Sequence, residues 1–354
     1  MKKIIALLPG DGIGPEIIRV AKDILEAIAS KYKHEFIYQE GLIGATAINE
    51  TGNPFPDETL KICINADAIL FGAIGHPDYD NNPMAKVRPE QGLLKMRKEL
   101  GLYANIRPVN IFPSLIERSP LKAEIIENVD FIVIRELTGG IYFGEPRGKS
   151  EDGSIAFDTC VYTKEEIIRV AKVAFEYTLH REKKLTMVDK ANVLATSQLW
   201  RETIKEFSKK YKDVEVEYMF VDNAAMQLIQ NPAQFDVILT ENMFGDILTD
   251  EASVLSGSLG LLPSASIGLK TSVFEPIHGS YPQAAGKNIA NPIGTVLSAA
   301  MLLDSFGLID EAKCIRKTVD HAINSDFVTS DISKSEGKST SEVGGFLVSN
   351  ILDE

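Results

Sequence analysis

Short apolar runs alternate along this chain with longer segments in which apolar residues recur every three or four positions. The runs at residues 4–8, 68–74 and 235–240 have the length and the branched side chains of buried strands. A helix is predicted at residues 89–101, with proline in its first turn and glycine at its end. Strands that alternate with helices form an α/β sheet with helices on both faces. The hydrophobic pattern therefore predicts an α/β protein.

The first predicted strand leads into a glycine-rich turn, PGDGIG, at residues 9–14, and a helix follows. Such a start is typical of Rossmann domains, which bind dinucleotides with the pattern G-x-G-x-x-G. Gly10 and Gly12 fit this pattern, but Pro15 stands where its third glycine is needed. A conventional Rossmann domain is therefore disfavoured, although we still expect the turn to bring backbone close to a ligand.

Three segments are predicted to lie outside the regular pattern. Residues 75–86 form a polar loop, and residues 273–294, which contain several glycines and prolines, form a long loop of the kind that usually carries function. Residues 145–163 are polar and then alternate, which predicts a protruding hairpin arm. We expect this arm to pair with a second subunit.

Composition limits the partners and the compartment. The 354 residues suffice for two domains, and 44% of them are apolar. A net charge of −13 argues against nucleic acid or an anionic membrane as a partner, because both require a positive surface. The N-terminal apolar run is too short for a signal peptide, and no run approaches membrane-spanning length. Because Cys63, Cys160 and Cys314 are widely separated and predict no disulfide framework, we expect a cytoplasmic protein.

The segment ENMFGDILTDE, residues 241–251, follows a predicted buried strand and opens a predicted helix. Asp246 and Asp250 stand four positions apart, so they project from the same face of that helix. Two carboxylates held this close repel each other unless a cation lies between them, and oxygen ligands suit Mg²⁺ or Mn²⁺. The spacing favours a divalent metal site, and a solvated helix face with two acids is the alternative.

Three arginines, Arg97, Arg107 and Arg135, each lie at the edge of a predicted buried element. A guanidinium is costly to bury there without an anion, and it can bind a carboxylate through two parallel hydrogen bonds. Leu93 and Leu94 share a helix face with Arg97. The set predicts a substrate with more than one carboxylate, and ordinary surface arginines are the alternative.

Further candidate groups lie where strands are predicted to end. Lys190 follows an apolar strand, where burial and neighbouring charge can lower the pKa of a lysine into the range of a base. Asp222 ends the strand predicted at residues 214–222. Because open α/β sheets bind ligands at the carboxyl ends of their strands, Lys190, Asp222 and Asp246 are expected to converge. An ordinary strand-end lysine is the alternative for Lys190. Tyr142 lies on the glycine-rich loop TGGIYFGEPRG.

Six long motifs occur in order along nearly the whole chain: RPEQGLLKMRK, ANIRP, RELTGGIYFGEPRG, VDKANVL, ENMFGDILTDE and HGSYPQAAGKNIANP. With these motifs the chain resembles the isocitrate/isopropylmalate dehydrogenase family, whose members are β-decarboxylating 2-hydroxyacid dehydrogenases. The resemblance implies two α/β domains that share a continuous mixed sheet, unlike a conventional Rossmann fold. It implies a cofactor-binding domain at residues 1–101 and 257–354, and an inserted domain for substrate, metal and dimerisation at residues 102–256.

The resemblance also implies roles for the candidate residues, in a homodimer whose active sites draw on both subunits. Arg97, Arg107 and Arg135 are expected to bind the carboxylates of the substrate. Tyr142 of one subunit and the partner subunit's Lys190 are expected to transfer protons. Asp246 and Asp250, together with Asp222 of the partner subunit, are expected to hold Mg²⁺ or Mn²⁺ close to the substrate. The positions expected to bind NAD are Ile13, Glu90, His278, Gly279, Ser280, Gln283, Ala284, Gly286 and Asn291.

Substrate choice is expected to depend on Glu90, Leu93 and Leu94, which match the family pattern for 3-isopropylmalate. Two leucines can cover an isopropyl group, whereas the third carboxylate of isocitrate requires a polar partner. D-Malate or tartrate is the alternative substrate. A non-catalytic regulatory subunit is a remote alternative, because it would be expected to lack Tyr142, Lys190 or an aspartate of the metal site, and this chain has them all.

The sequence departs from the family in two loops. A common NAD-selective form reads SAPDIAG, whereas this chain reads SYPQAAG, with Gln283 in place of the acid that binds the ribose 2′-hydroxyl and repels a 2′-phosphate. The lysine–tyrosine pair of NADP-using relatives is absent as well, so NAD⁺ is expected, with weaker discrimination. The loop GHPDYDNN, residues 75–82, differs from the common glycine-proline-aromatic form, which changes the expected cofactor contacts there.

Overall fold

The computed structural model describes residues 1–82 and 84–353. Residue 83, in the polar loop predicted at 75–86, and residue 354 lie outside the described residues. The strands are β1 Lys2–Gly10, β2 Glu35–Glu40, β3 Ala68–Ala73, β4 Ala104–Asn110, β5 Asp130–Glu136, β6 Gly148–Lys149, β7 Ala156–Phe157, β8 Lys184–Asp189, β9 Glu215–Phe220, β10 Val237–Thr240, β11 Pro263–Ile267 and β12 Val273–Pro276.

Helices separate most of these strands, so the predicted α/β class is confirmed. They are α1 Gly14–Tyr32, α2 Gly44–Thr51, α3 Asp57–Asn65, α4 Pro77–Asp80, α5 Pro89–Leu100, α6 Ala123–Ile126, α7 Lys164–Leu179, α8 Ala195–Phe207, α9 Val221–Gln230, α10 Asn242–Ser253, α11 Ile293–Ser305, α12 Ile309–Asn324 and α13 Thr340–Asp353. Among the described residues, no helix combines the length and the apolar composition that crossing a bilayer requires. All three cysteines are free.

The chain forms two compact units. The first unit contains both chain ends, Met1–Gly101 and Ser256–Glu354, and the second contains Leu102–Leu255. Five strands of the first unit lie in the order β2-β1-β3-β12-β11. Neighbouring strands are parallel except β11, which runs antiparallel to β12. The central strands β1 and β3 are apolar on both faces because helices cover them, and Ile5, Leu7 and Leu70 are fully buried.

The second unit orders five strands as β4-β5-β10-β8-β9, with β4 antiparallel and the other four mutually parallel. Parallel strands end at one edge of the sheet, and the candidate residues lie at that edge or shortly after it along the chain. Arg135 is the penultimate residue of β5, Lys190 follows β8, and α10 begins two residues after β10. The two short strands β6 and β7 pair as an antiparallel hairpin within the predicted arm.

Several local predictions are wrong. Asp222 does not end a strand but lies in the first turn of α9, where an acid complements the positive end of the helix dipole. Arg107 lies in the middle of β4, because Pro108 continues the strand opposite Ile132. The segment predicted as a loop at 273–294 contains β12, which is short and extended only because it pairs with β3 and β11.

The turn after β1 makes contacts with backbone. A side chain at Gly10 would place its Cβ atom 1.9 Å from the carbonyl oxygen of Ala73, and φ there is +71°, so glycine is required. The buried carboxylate of Asp11 accepts hydrogen bonds from the backbone N–H groups of Ala45, Thr46 and Gly75 at 2.9, 3.0 and 2.9 Å. Asp11 thus caps α2 from a distant part of the chain, which explains why local sequence did not predict that helix.

Candidate functional site

A cluster of two carboxylates and two guanidinium groups lies in the second unit. Asp246 and Asp250 project from one face of α10, as their spacing predicts. The Asp246 carboxylate accepts hydrogen bonds from Arg135 Nη1 and from the Tyr142 hydroxyl, the latter at 2.9 Å. Arg107 lies 3.8 Å from Asp246 and 3.7 Å from Asp250. The structure therefore brings five of the predicted residues together.

The two arginines are held by neutral side chains as well as by acids. Arg135 is 1% exposed, and its Nε and Nη2 atoms donate to Asn242 Oδ1 at 3.0 and 2.8 Å. Arg107 donates from Nε to Asn105 and from Nη1 to Thr249. Asn242 and Thr249 lie on the same face of α10 as the acids, at helical spacing, so the periodicity of this helix could have revealed both.

The surroundings shift the pKa values of Asp246, Asp250 and Tyr142 in different directions. Burial alone raises the pKa of Asp246, but the charges of Arg135 and Arg107 and the hydrogen bond from Tyr142 hold it below its usual value. Burial raises the pKa of Asp250, and the charge of Asp246 adds to this effect. Burial and the Asp246 carboxylate also raise the pKa of Tyr142, so its hydroxyl keeps its proton at neutral pH and can donate it.

Lys190 and Asp222 form a separate pair in the second unit. Lys190 Nζ lies 2.5 Å from Asp222 Oδ1, and this hydrogen bond holds the pKa of Asp222 below its usual value. The residue before the lysine, Asp189, is fully buried and accepts two hydrogen bonds from Arg201 at 2.8 Å. Within the described part of one chain, no three acidic, histidine or cysteine side chains converge as a metal site would require. Asp222 thus does not join Asp246 within a single chain.

The remaining substrate candidates lie on α5 in the first unit. Leu93, Leu94 and Arg97 are half-buried, and Glu90 is exposed in the first turn. The Gln91 side chain caps the start of this helix by accepting a hydrogen bond from the Arg88 backbone N–H at 3.1 Å, and Gly101, in the left-handed conformation, ends the helix. The helix therefore presents two leucines and one guanidinium within about one turn of each other.

A cleft of about 550 Å³ lies within the first unit. Four predicted cofactor positions line it, namely Ile13, His278, Gly279 and Asn291. Burial lowers the pKa of His278, and its buried Nε2 atom has no hydrogen-bond partner among the described residues. Asp331, which was not predicted, lies at the same cleft and accepts hydrogen bonds from Ser258 at 2.6 Å and Asn291 at 3.0 Å. The cleft therefore offers apolar walls with a few polar groups, as small-molecule sites do.

Apart from Glu90, which lies on α5, the other predicted cofactor positions follow His278 along the chain. The Ser280 carbonyl accepts a hydrogen bond from the Ile13 N–H at 2.9 Å. Gln283 is exposed, whereas Ala284 is fully buried and packs with Ile13 in a small apolar cluster. The Gly286 N–H donates to Glu16, an acid in the first turn of α1 that was not predicted as part of this loop.

The buried Glu241 precedes α10 and is 4% exposed. Its Oε1 atom accepts a hydrogen bond from the Ser197 hydroxyl at 2.7 Å. Burial raises the pKa of Glu241 to about 7 even though this hydrogen bond opposes the shift, and the neighbouring charges of Asp189 and Glu136 add to the rise. Glu241, directly before α10, therefore changes its protonation near neutral pH.

Comparison with known proteins shows extensive similarity. The family described as isocitrate/isopropylmalate dehydrogenase matches residues 4–347. A 3-isopropylmalate dehydrogenase of Bacteroides fragilis is 55% identical over 349 residues, covering 98% of each chain. One from Bacillus subtilis is 54% identical and covers 97% of this chain and 95% of its own.

Two solved structures are similar as well. An isocitrate dehydrogenase from Methylococcus capsulatus has a TM-score of 0.88 at 33% identity and covers 99% of both chains. A β-decarboxylating dehydrogenase from Thermococcus kodakarensis, in its apo form, has a TM-score of 0.80 at 36% identity, covering 99% of this chain and 96% of its own.

Titration of Glu241 is expected to make the stability of the protein depend on pH. An acid whose pKa rises from its ordinary 4.5 to about 7 on folding contributes stability below pH 4.5 that is lost as pH rises to 7. The loss amounts to roughly 3 kcal/mol, at about 1.4 kcal/mol per pKa unit. Glu241→Gln removes the titrating group, so its Tm should fall less than that of the wild type between pH 5 and pH 8. Equal falls in both proteins would contradict this assignment.

Proposed function

Because this chain belongs to the isocitrate/isopropylmalate dehydrogenase family, we propose that it oxidises and decarboxylates 3-isopropylmalate to 4-methyl-2-oxopentanoate, a step in leucine biosynthesis. The observation that carries this proposal is identity of 53–55% along nearly the full length of relatives named 3-isopropylmalate dehydrogenase. The leucine pair on α5 supports the same substrate, since it can cover an isopropyl group.

The residues present fit a divalent metal and a nicotinamide cofactor. Asp246 and Asp250 offer hard oxygen ligands, and with Asp222 of the partner subunit they would hold Mg²⁺ or Mn²⁺. When bound, such an ion stabilises the negative charge that develops on the substrate oxygens during reaction. The cleft of the first unit, where the buried His278 Nε2 atom has no hydrogen-bond partner among the described residues, fits NAD⁺. Gln283 can accept a hydrogen bond from the ribose but repels a 2′-phosphate less than an acid does.

The chemistry assigns complementary tasks to the charged groups. Arg107 and Arg135 bind the substrate carboxylates and keep Asp246 ionised. Lys190 of the partner subunit would relay the proton that leaves the substrate hydroxyl, and a bound nicotinamide would supply the hydride acceptor for the oxidation. After CO₂ departs, the electron pair left on carbon takes a proton, and Tyr142 supplies it because its hydroxyl is still protonated at neutral pH.

A homodimer completes this site. Exposed apolar side chains lie along α9 and α10, where Met226 is 53% exposed, Ile229 37% and Ile247 58%. Val254, at the end of α10, is 47% exposed. An apolar patch of this kind is typical of a protein interface, and a two-fold axis through it would give each site Lys190 and Asp222 from the other subunit. The hairpin arm formed by β6 and β7, with Ile155 63% exposed, supports the same proposal.

The first experiment is an assay of NADH formation by the purified protein with Mg²⁺ and NAD⁺. 3-Isopropylmalate, D-malate and isocitrate are compared side by side, with EDTA as control. We expect 3-isopropylmalate to give the highest kcat/KM and EDTA to stop the reaction, because EDTA removes the ion that Asp246 and Asp250 would hold beside the substrate. Preference for D-malate would overturn the substrate assignment alone, and inactivity with all three would overturn the enzymatic proposal.

Cofactor selectivity is tested by Gln283→Asp. A carboxylate at this exposed position should repel the 2′-phosphate of NADP⁺, so the ratio of kcat/KM for NAD⁺ over NADP⁺ should rise roughly tenfold, equal to about 1.4 kcal/mol. Gln39→Glu, on the exposed side of β2, adds the same charge outside the cleft and serves as control. An unchanged ratio in Gln283→Asp would mean that selectivity lies elsewhere.

Shared active sites are tested by mixing two inactive variants, Asp246→Asn and Lys190→Met. If Lys190 acts in the partner's site, each mixed dimer has one intact site. Random assembly should then restore about a quarter of wild-type activity, because half of the dimers are mixed. A mixture of Asp246→Asn with Asp250→Asn should stay inactive, since both acids serve the same site. Absence of recovery in the first mixture would place both residues in one chain's site.

A further inference from the structure

We propose that Asn242 is a positioning residue that fixes the Arg135 guanidinium for substrate binding while leaving its positive charge available. The inference rests on the proposed function, because it concerns how the site attracts a substrate carboxylate. Asn242 is the first residue of α10 and is 1% exposed. It contacts neither cofactor cleft nor metal ligand through its amide, so its effect on catalysis passes through Arg135 and the loop that carries Tyr142.

Both polar ends of the Asn242 side chain are used. Its Oδ1 atom accepts two hydrogen bonds from one edge of the Arg135 guanidinium, from Nε at 3.0 Å and Nη2 at 2.8 Å. Its Nδ2 atom donates to the Gly139 carbonyl oxygen at 3.0 Å. A single buried amide therefore fixes the orientation of the guanidinium and ties it to the loop three residues before Tyr142.

The chemistry of the amide explains why an acid is absent at this position. A buried guanidinium is ordinarily paired with a carboxylate, which cancels its charge. Here Asp246 already takes Nη1, and that acid is also needed as a metal ligand. A second carboxylate at position 242 would form a bidentate ion pair with Arg135. This pair would weaken the attraction of Arg135 for the substrate carboxylate. An amide supplies the same acceptor geometry without the negative charge.

The backbone of Asn242 joins the same network through Tyr162. The Asn242 N–H donates to the Tyr162 hydroxyl at 2.9 Å. The Tyr162 side chain lies so close to the loop that a Cβ at Gly139 would meet its ring at 2.6 Å and a Cβ at Gly140 would meet its hydroxyl oxygen. Tyr162 also contacts Trp200, with ring centroids 5.4 Å apart and the planes at 87°. Because Trp200 is the only tryptophan of the chain, its fluorescence reports on this network.

The test compares Asn242→Asp with Asn242→Ala. A purely structural role predicts that Tm and the KM for 3-isopropylmalate rank the two variants in the same order, because alanine loses the contacts with Arg135 and Gly139 and aspartate loses the contact with Gly139. Our proposal predicts that alanine lowers Tm more, whereas aspartate raises the KM for 3-isopropylmalate more, by about tenfold or greater. The KM for NAD⁺ should stay within about twofold in both variants, because the cleft of the first unit is untouched.

The matched control is Asn128→Asp, which adds the same charge at an exposed position of the second unit. The left-handed backbone of Asn128, with φ of 68°, suits aspartate as well as asparagine. Calorimetric binding of 3-isopropylmalate with Mg²⁺ and without NAD⁺ should give the same order of variants as the KM values. Unchanged Trp200 emission would show that the Tyr162 network is intact in Asn242→Asp.

The outcomes separate the two proposals. Inactivity of the wild type with 3-isopropylmalate would overturn the proposed substrate, and the variants would then be compared with whichever malate the wild type oxidises, because Arg135 binds a carboxylate that these substrates share. An active wild type for which Asn242→Ala raises the substrate KM as much as Asn242→Asp would overturn the role of Asn242. Equal KM values for Asn242→Asp and the wild type would overturn it too.

Discussion

The burial of the Arg135 guanidinium is the constraint on which the arrangement of the second unit depends. A guanidinium that is 1% exposed must have all of its edges satisfied, since an unpaired buried charge costs several kcal/mol. Asn242 accepts hydrogen bonds from Nε and Nη2, and Asp246 accepts one from Nη1, so α10 must begin where its first turn reaches β5. Gly245 lies between them, and a Cβ there would come within 2.7 Å of the arginine stem. Arg135 thus positions Asp246, the acid of the proposed metal site.

This arrangement also resolves an electrostatic difficulty. The chain carries a net charge of −13, yet the proposed substrate is a dianion. Two guanidinium groups concentrated beside two carboxylates give a site that can accept both a cation and an anion. Burial raises the pKa of both acids, but at Asp246 the charges of Arg135 and Arg107 outweigh it. At Asp250 burial and the charge of Asp246 outweigh the opposing charge of Arg107, so its pKa is raised. Local placement, rather than overall charge, therefore determines what can bind.

Sequence predicted the features that depend on local periodicity and missed those that depend on distant partners. The strand before α10 and the spacing of Asp246 and Asp250 are local, and both are confirmed. Helix α2 is capped by Asp11 across more than thirty residues, and β12 is extended because other strands pair with it, so no local signal marks either. Asn242 was missed for a different reason, because its role appears only once Arg135 is known to be buried.

The separation of Lys190 and Asp222 from the acids of α10 follows from the order of the sheet. Strands β8 and β9, which lead to this pair, are neighbours, and their ends bring lysine and aspartate within 2.5 Å of each other. Arg135 is the penultimate residue of β5 and Asp246 lies on the helix after β10, and these two strands are also neighbours. The sheet thus carries two half-sites side by side, one rich in arginine and acid and one with lysine and acid. Helices α9 and α10, which carry Asp222 and Asp246, also carry the exposed apolar side chains. If two chains paired through these side chains, the arginine-rich half-site of one chain would meet the lysine half-site of the other. The two sites of the proposed dimer would then have the same composition.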